Sequence, residues 1–288
     1  MIRKLIIFLC IVSLFTGFLE NESNNEILSQ QTISKFNEIG EKAKLNNWRD
    51  LPIGELIAKI GLEFLGTPYK DKTLEGEPEM CRINFEGMDC VTFFENSLDF
   101  ARIIKQDRLE INSLIKELTK TRYRNGYIND YTSRLHYTAD WIYENRNNFV
   151  INDITRALGG RKYRFKCNFM SQNYQYYEEL KKHPDYIKTI KAYEDSINAR
   201  DYYIIDKVNI PKIERFLASG DIIAIVTSKP GLDYSHIGLI YKDSLGTPRF
   251  LHASSKAKQV ILDTTISAYL NKIPSDIGIT ILRANEPN

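Results

Sequence analysis

The sequence predicts an α+β protein in which several helices precede an antiparallel β-sheet. In the N-terminal half, apolar residues recur at helical spacing, most clearly over residues 53–65. Between residues 221 and 282, short runs rich in β-branched residues alternate with turn-forming segments such as Pro230-Gly231. Helices followed by a meander of strands favour a fold in which the helices pack on one side of an antiparallel sheet.

The composition is that of an ordinary folded chain and excludes several classes of protein. Of the 288 residues, 43% are hydrophobic and 26% are charged, which rules out disordered, collagen-like and coiled-coil chains. Lys and Arg number 39 against 37 Asp and Glu, and two of the cations, Arg3 and Lys4, lie in a leader-like segment. The rest of the chain is balanced in charge, which disfavours binding to nucleic acid through phosphates.

Residues 1–19 have the pattern of a secretory signal peptide. A basic start is followed by an unbroken apolar run over residues 5–15. This run is too short for a comfortable membrane-spanning helix. Phe15 fits the small-residue rule for cleavage badly, so an uncleaved anchor remains an alternative. We expect an exported protein, periplasmic or extracellular, with no stable membrane span after removal of the leader.

The mature chain is expected to consist of a short extension and one domain. Residues 20–50 predict an N-terminal helical extension, and residues 51–288 predict the domain. The helix over residues 53–65 should end at Gly66, because Pro68 pushes the residue before it out of the helical region. Further helices are predicted from Asp89 onwards and over about residues 111–119.

Residues from about 121 to 205 form an insert of different composition. They hold 13 of the 17 tyrosines and also Trp141. Much of the insert looks helical, but its aromatic residues are not confined to one face. One interpretation is a tyrosine-rich core and surface. The other is a groove for carbohydrate or peptide, since aromatic rings stack on apolar sugar faces while their hydroxyls bind polar edges.

Five short strands are predicted in the C-terminal section. Each is rich in β-branched or aromatic residues and is bounded by turn-forming residues. The predicted strands span residues 221–227, 235–241, 249–253, 259–262 and 277–282.

Cys90 is the first candidate for a catalytic residue. Asp89 is a good N-cap, which places Cys90 in the first turn of a helix. The backbone N–H groups and the helix dipole favour an anion there, so we expect the pKa of the thiol to lie below the free value of about 8.5. The same N–H groups suit an oxyanion formed when a carbonyl is attacked. The alternative is a buried cysteine that fills a helix end.

Two histidines on neighbouring predicted strands are the next candidates. His236 and Gly238 point to the same face of one strand, and the glycine leaves room for another side chain to approach the imidazole. His252 lies on the following strand, so a hairpin can bring the two rings together on one face. One histidine could then act as base toward Cys90 while the other orients it, as in a nucleophile–base–orienter triad.

Three cysteines remain after the leader, which removes Cys10. An odd number of thiols in an exported chain draws attention to a reactive one. Cys81 and Cys167 could form a disulfide that leaves Cys90 free. No C-x-x-C pair is present, so a structural zinc site is not expected.

Four motifs resemble those of the NlpC-type papain-like cysteine peptidases. The resemblance implies a papain-like fold, in which a cysteine at a helix start packs on a sheet. That sheet carries a histidine and, on the adjacent strand, a polar third residue that is often histidine. The order Cys–His–His along this chain matches that family. The motifs are Gly66-Thr67-Pro68-Tyr69, Asp89-Cys90-Val91-Thr92-Phe93, Ser235-His236-Ile237-Gly238 and Leu251-His252-Ala253.

A closer resemblance is to the N-acetylmuramoyl-L-alanine amidase-like branch, and it covers about residues 50–285. It implies an exported cysteine amidase acting on peptidoglycan fragments. The bond cut would be the amide between the lactyl group of a muramic sugar and the L-Ala of the stem peptide. The resemblance rests on Tyr123-Arg124-Asn125-Gly126, on Tyr131-Thr132-Ser133-Arg134-Leu135-His136-Tyr137, on Asp140-Trp141-Ile142, on Gly231-Leu232-Asp233 and on His252-Ala253-Ser254.

The resemblance also implies a role for each site residue and requires no cofactor and no metal ion. Cys90 attacks as the thiolate to give a thioester, His236 moves the proton, and His252 holds His236. The Cys90 N–H supplies part of the oxyanion hole. The expected substrate contacts are Tyr69, Asp89, Arg134, His136, Tyr137, Trp141, Asp233 and Ser235.

Some of these roles have alternatives. Asp89 can simply cap its helix, and Arg134 can simply pair with an acid. His136 is the main alternative to His252 as third member of the triad. A zinc amidase would use His136, His236, His252 or Cys90 as ligands, although no closely spaced ligand pair is present.

Two further functions also remain as alternatives. An endopeptidase that cuts between D-Glu and the diamino acid would share the triad. A non-catalytic protein would keep the fold and bind muropeptides. The expected partner is a soluble muropeptide rather than intact wall, because the mature chain is balanced in charge and has no wall-binding repeat.

Overall fold

The computed structural model describes residues 28–287. The leader predicted at residues 1–19 and the start of the predicted extension lie outside the described residues. Most of the helical residues precede the main strands, as the sequence predicts. The α-helices of the described range are α1 (Gln30–Leu45), α2 (Ile53–Glu63), α3 (Cys90–Lys105), α4 (Ile111–Arg122), α5 (Thr138–Asn147), α6 (Phe169–Gln172), α7 (Glu178–Lys182), α8 (Asp185–Ala199), α9 (Ile210–Ile213) and α10 (Ile266–Asn271).

The strands form one mixed-length antiparallel sheet of eight strands, which confirms the α+β class. They are β1 (Ile151–Asp153), β2 (Arg161–Tyr163), β3 (Tyr202–Asp206), β4 (Ile222–Thr227), β5 (Tyr234–Lys242), β6 (Pro248–Ser254), β7 (Gln259–Leu262) and β8 (Asp276–Ala284). The order across the sheet is β2-β3-β8-β4-β5-β6-β7, and β1 also pairs with β8. The five predicted strands correspond to β4–β8.

The insert contains strands as well as the predicted helices. β1 and β3 pair with β8, and β2 pairs with β3, so the insert extends the sheet beyond β8. β1 and β2 have only three residues each. Such short segments carry no readable period, and pairing with the sheet rather than local pattern makes them strands.

Helix α3 is the central helix of the domain. Its residues 92–104 are all buried, polar ones included. Two of these buried residues form ion pairs with α4, since Arg122 Nε lies 2.7 Å from Glu95 Oε2 and Arg102 Nε lies 2.7 Å from Glu117 Oε1. These pairs tie α3 to α4. The tie holds the helix that starts with Cys90 in a fixed position against the sheet.

The sheet is covered on both faces, whereas the sequence predicted helices on one side. Every residue of β4 is buried. On one face, α2 and α3 pack against residues such as Leu239 and Leu251. On the other face, Ile210 of α9 and Leu270 of α10 belong to a second apolar core. The prediction was incomplete because an uninterrupted apolar strand indicates burial on both faces.

The suggested disulfide between Cys81 and Cys167 is not formed in the structure. Cys81 and Cys167 are buried and free among the described residues, so the suggested disulfide is wrong. They lie in separate surroundings: Cys81 Sγ is 3.7 Å from Arg122 Nη1, whereas the Cys167 N–H donates to Asn198 Oδ1 at 2.6 Å.

None of the helices within residues 28–287 combines the length and apolarity needed to cross a membrane.

Candidate active site

Cys90 is the first residue of α3, as its sequence context predicts. Asp89 Oδ1 accepts a hydrogen bond from the Thr92 N–H at 2.8 Å, and Thr92 Oγ1 accepts one from the Asp89 N–H at 3.0 Å. This reciprocal capping box fixes the start of the helix. The Cys90 side chain is half-buried. Asp89 therefore acts in the structure as a helix cap beside the thiol.

The sheet provides a free backbone N–H next to this thiol. The ladder between β5 and β6 runs from Lys242–Pro248 to Leu239–Leu251 and stops there. Ile237 lies just past that end, and its N–H faces the Cys90 sulfur. The N–H groups of Ile237, Cys90 and Val91 all favour a negative charge on this sulfur. The thiol thus lies in a cluster of donors of the kind that stabilises anions.

His236 and His252 meet on one face of the sheet, as predicted. His236 Nε2 and His252 Nδ1 are 2.7 Å apart, and the ring planes are inclined at 84°. Gly238 makes this approach possible, because a Cβ at that position would lie 2.8 Å from the His252 Cβ. His252 is 1% exposed, whereas His236 is half-buried. Because His236 Nε2 is in contact with His252, Nδ1 is the ring nitrogen of His236 that remains available for another hydrogen bond.

The electrostatic environment of the thiol differs from the sequence prediction. Burial and the Asp89 carboxylate raise the pKa of Cys90 to about 12, and the three N–H groups offset this only in part. The expected lowering of the thiol pKa is therefore wrong in direction. Burial and the neighbouring His252 lower the pKa of His236 to about 3. At neutral pH, both the Cys90 thiol and the His236 imidazole that line the cleft are therefore uncharged.

A cleft of about 240 Å³ opens beside Cys90 and His236. Its opposite wall comes from the insert and includes Met170 and Tyr177. Among the described residues that line it, Asp233 alone has an ionisable carboxyl group, and no Lys or Arg is present. The cleft suits a ligand that is neutral and partly apolar at the point where it meets the thiol.

Four of the predicted substrate contacts line this cleft: His136, Tyr137, Asp233 and Ser235. The Tyr137 hydroxyl donates to Glu194 Oε1 at 2.7 Å and accepts from the Met170 N–H at 3.1 Å. Ser235 is exposed, and its hydroxyl donates to Asp276 Oδ1 at 2.8 Å. Tyr137 and Ser235 therefore belong to the walls of the cleft.

Asp233 joins the insert to the sheet at the edge of the cleft. Its Oδ2 accepts from the Ala139 N–H and its Oδ1 from the Tyr234 N–H, both at 2.7 Å. Burial raises the pKa of this carboxyl group to about 6, although both N–H groups lower it. With one bond from each N–H, Asp233 fixes the position of α5 relative to β5.

His136 is held apart from the pair formed by His236 and His252. Its Nε2–H donates to the Tyr131 carbonyl at 2.8 Å, and the two rings pack with centroids 4.3 Å apart. Burial, aided by the charge of Arg134, lowers the pKa of His136 to about 3. His136 thus presents a neutral ring to the cleft, and His252 is the histidine that contacts His236.

Three other predicted contacts lie outside this cleft. Tyr69 flanks the thiol, and burial together with the charges of Cys90 and Asp89 raises its pKa to about 12. Arg134 is a correction: it is buried and lies 3.2 Å from Glu75 and 3.4 Å from Glu79. Trp141 is also a correction, since it is buried edge-on against Phe94. Arg134 and Trp141 shape the insert without lining the cleft.

Two residues near the histidines were missed by the sequence analysis. Asp263 Oδ2 lies 3.7 Å from His252 Nε2. The Tyr269 ring stacks on His236 with centroids 6.0 Å apart. Neither residue lies in a motif of its own. The sequence did contain one indication: Asp263 directly follows the predicted strand over residues 259–262, which comes after the strand that carries His252.

The comparisons with known proteins agree on one family. The model of the AmiA-like family, described as N-acetylmuramoyl-L-alanine amidase-like, matches residues 59–279. The chain belongs to this family. None of the curated proteins gives a significant match.

Solved structures resemble this chain over most of its length. An N-acetylmuramoyl-L-alanine amidase from Bacteroides uniformis is 32% identical, with a TM-score of 0.76, covering 81% of this chain and 99% of that one. A Bacteroides fragilis protein described provisionally as a xylanase is 35% identical, with a TM-score of 0.73, covering 78% and 99%. A Legionella pneumophila protein of the DUF1460 family shares the fold at 21% identity and a TM-score of 0.69, covering 91% and 97%.

Proposed function

We propose that the protein is a cysteine amidase that hydrolyses the amide between the muramic acid lactyl group and L-Ala in peptidoglycan fragments. The observation that carries the proposal is the 2.7 Å contact between His236 Nε2 and His252 Nδ1, at the cleft where Cys90 begins its helix. Membership of the N-acetylmuramoyl-L-alanine amidase-like family supports an amide of this kind as substrate. A nucleophile at a helix start beside a histidine-bearing sheet also supports an NlpC-type papain-like arrangement.

The proposed reaction starts from the neutral pair. Cys90 Sγ attacks the carbonyl carbon of the lactyl amide while His236 Nδ1 accepts the thiol proton. The negative charge on the carbonyl oxygen is met by the Cys90 N–H, assisted by the Tyr69 hydroxyl. Collapse breaks the C–N bond, and the L-Ala amine leaves with the proton from His236, giving a thioester.

A second half-reaction restores the enzyme. His236 Nδ1 takes a proton from water as the oxygen attacks the thioester carbon. The C–S bond breaks, the Cys90 sulfur regains its proton from His236, and the lactyl carboxylic acid leaves and gives its remaining proton to solvent. His252 holds the His236 ring throughout both half-reactions.

The cleft supports amide chemistry better than cleavage of a glycosidic bond. Most glycosidases place two carboxyl groups on either side of the scissile bond. Among the described residues lining this cleft, Asp233 is the one carboxylate, and both of its oxygens accept backbone N–H groups. A second carboxyl group to act with it is missing from the described lining of the cleft.

The proposal includes export to the periplasm or the cell exterior, which rests on the leader pattern of residues 1–19 alone. Soluble muropeptides are the proposed substrate, in keeping with the balanced charge of the mature chain. Fractionating cells that express the full chain, with N-terminal sequencing of the product, would test both export and cleavage of the leader. Full-length protein retained in the cytoplasm would contradict the proposal.

Digestion of a defined disaccharide–tetrapeptide, analysed by mass spectrometry, tests the activity. We expect free disaccharide and an intact tetrapeptide with an L-Ala amine. A disaccharide–dipeptide product would identify the endopeptidase instead, and binding without hydrolysis would identify a non-catalytic protein. Release of xylose oligomers from xylan, with muropeptides untouched, would also overturn the proposal.

Matched variants and reagents test the cysteine dependence. Cys90→Ala should abolish hydrolysis, whereas Cys81→Ala should retain it, because Cys81 is buried beside Arg122 and away from the cleft. A thiol alkylator should inactivate the protein, and a chelator should not. Loss of activity with chelator and recovery with zinc would favour a zinc amidase.

A further inference from the structure

We propose that Asp263 is a positioning residue that fixes the tautomers of His252 and His236, so that His236 Nδ1 is free to take the Cys90 proton. The inference rests on the proposed cysteine mechanism and assigns a role to a residue outside the sequence motifs. Three adjacent strands carry the residues in question. β5 supplies His236, β6 supplies His252, and Asp263 directly follows β7.

The register of the sheet places Asp263 beside His252. The Asp263 N–H donates to the Phe250 carbonyl at 2.7 Å, and the Phe250 N–H donates to the Thr264 carbonyl at 3.0 Å. Asp263 therefore lies opposite Phe250, diagonally across from His252. Diagonal neighbours on one face of an antiparallel pair are within reach of each other. Accordingly, Asp263 Oδ2 lies 3.7 Å from His252 Nε2.

The chemistry of the three groups determines where the protons lie. At 3.7 Å, beyond a direct hydrogen bond, the Asp263 carboxylate acts through its charge on His252 Nε2, which has no hydrogen-bond partner among the described residues, and this negative charge favours a proton on that nitrogen. A neutral imidazole has a single N–H, and His252 Nδ1 is therefore an acceptor. The 2.7 Å contact then requires His236 Nε2 to donate. His236 Nδ1 is left unprotonated, which is the form that can accept the thiol proton.

The surroundings keep Asp263 ionised and oriented. Its Oδ1 accepts from the Thr264 N–H at 2.6 Å and lies 3.8 Å from Lys272 Nζ, which leaves Oδ2 for His252. Burial acts to raise the pKa of Asp263, but the Thr264 N–H, Lys272 and His252 bring it below its usual value. Tyr269 also faces the pair, and burial raises the pKa of its hydroxyl, which stays neutral.

The test compares Asp263→Asn and Asp263→Glu with the control Asp243→Asn. Asp243 resembles Asp263 closely: it accepts the Leu245 N–H at 3.0 Å and lies 3.9 Å from Arg249 Nε. The two side chains are also similarly exposed, at 25% for Asp243 and 22% for Asp263. Asp243 has no histidine neighbour among its described contacts. A structural effect of losing a surface carboxylate should thus appear in both asparagine variants.

The first readout is the tautomer itself, measured by two-bond ¹H–¹⁵N NMR on protein with ¹⁵N-labelled histidine. The chain has four histidines, so single His→Gln variants assign the signals. We expect Nε2–H at both His236 and His252. In Asp263→Asn the side-chain NH₂ can donate to His252 Nε2, so the Nδ1–H form should become populated at both rings. Nδ1–H at His252 in the unmodified protein would overturn the proposal.

The second readout is the reactivity of Cys90. Asp263→Asn should lower kcat and the alkylation rate about tenfold or more and leave KM unchanged, since the wrong tautomer cannot accept the proton. The dependence of the Cys90 alkylation rate on pH should shift to higher pH in Asp263→Asn. Asp263→Glu should restore both kcat and the alkylation rate. Tautomers and an alkylation profile unchanged in Asp263→Asn would contradict the role. The NMR and alkylation measurements need no substrate, so failure of the amidase proposal would be seen separately, in the kcat measurement.

Discussion

His236 Nε2 and His252 Nδ1 lie 2.7 Å apart although 16 residues separate them along the chain. The hairpin of β5 and β6 carries both on one face, and the ladder ends at Leu239–Leu251 just before them. Beyond the end of the ladder, His236 and the Ile237 N–H both lie at the cleft that Cys90 lines, and the Ile237 N–H faces the Cys90 sulfur. Pairing within the hairpin thus sets the positions of the two rings relative to each other.

This relationship predicts a difference between the two histidines that could complete the triad. His252→Gln should lower kcat about tenfold or more with little change in KM, because His236 loses its orienting partner. His136→Gln should mainly change KM, because His136 lines the cleft and bonds to the Tyr131 carbonyl instead. Steady-state kinetics on a defined muropeptide measures both. The reverse pattern would make His136 the third member.

Alkylation of Cys90 is expected to be slow at neutral pH and to accelerate in alkaline solution. The pKa of Cys90 is raised above its ordinary value of 9.0, so the proton is held more tightly and the neutral thiol dominates at pH 7. The pKa of His236 is lowered, so its imidazole stays neutral above about pH 3. Iodoacetamide rates between pH 5 and 11 should therefore still be rising above pH 9.0.

The control for this measurement is Cys90→Ala in protein that lacks residues 1–19, which should take up no label because the described cysteines that remain, Cys81 and Cys167, are buried. A plateau in the rate below about pH 8 would show a preformed thiolate–imidazolium pair. That result would mean that the N–H groups and His236 outweigh burial. It would also restore the original sequence-based expectation.

Gly238 is predicted to be required for the contact between the histidines. A Cβ there would lie 2.8 Å from His252 Cβ and 2.7 Å from Phe250 Cε2, so Gly238→Ala must displace the His252 strand. Small displacements of catalytic groups cost large factors in rate, and kcat should fall on the order of 100-fold. Steady-state kinetics and the urea midpoint should be measured together.

Gly61→Ala is the matched control for this variant. Its Cβ would lie 2.9 Å from Leu251 Cδ2 and 3.1 Å from Leu239 Cδ1, so it crowds the same two strands from the opposite face. Both substitutions should reduce stability by about 1–3 kcal/mol. Only Gly238→Ala should reduce kcat strongly. Equal losses of kcat in both variants would show that general crowding, and not the position of His252, is responsible.

The sequence was sufficient to place Cys90, His236 and His252 because each depends on local signals. The N-cap at Asp89 starts α3, and one hairpin brings both histidines together. Asp263 could not be found in this way, because its place beside His252 follows from the register between β6 and β7. That register is fixed by tertiary pairing of two strands and has no local motif.

The prediction that the pKa of the Cys90 thiol is lowered was wrong for a related reason. Helix-end reasoning counted the N–H groups around Cys90, but the degree of burial depends on how the insert packs over α3. The same packing explains Arg134 and Trp141: both belong to a motif in the insert, and the fold turns them inward. Sequence patterns identify such residues as members of the insert but carry no information on which of them face the cleft.

The buried pair of Glu95 and Arg122 is predicted to be important for stability. Their side chains are 1% and 2% exposed and lie 2.7 Å apart. Glu95→Gln would leave the guanidinium buried without its counter-charge, and the free energy of unfolding should fall by about 3 kcal/mol. Urea denaturation measures this. The exposed pair of Lys191 and Asp195 is the control, and Asp195→Asn should change stability by less than about 0.5 kcal/mol.

Asp233 is predicted to control substrate affinity through the cleft wall. Asp233→Asn replaces one acceptor oxygen with a donor, so the N–H of Ala139 or of Tyr234 loses its partner and α5 moves relative to β5. KM should rise about tenfold while kcat changes little. Asp153→Asn is the control, since Asp153 also accepts a backbone N–H, from Thr155 at 2.9 Å, away from the cleft.

The pH dependence of KM provides a second test of Asp233. Its pKa is raised to about 6, so the carboxylate becomes protonated, and loses acceptor capacity, as the pH falls below that value. KM of the unmodified protein should therefore rise between pH 6 and pH 5, whereas KM of Asp233→Asn, which is already uncharged, should stay level across this range. Parallel rises in both proteins would assign the titration to another group and remove Asp233 from the control of the cleft wall.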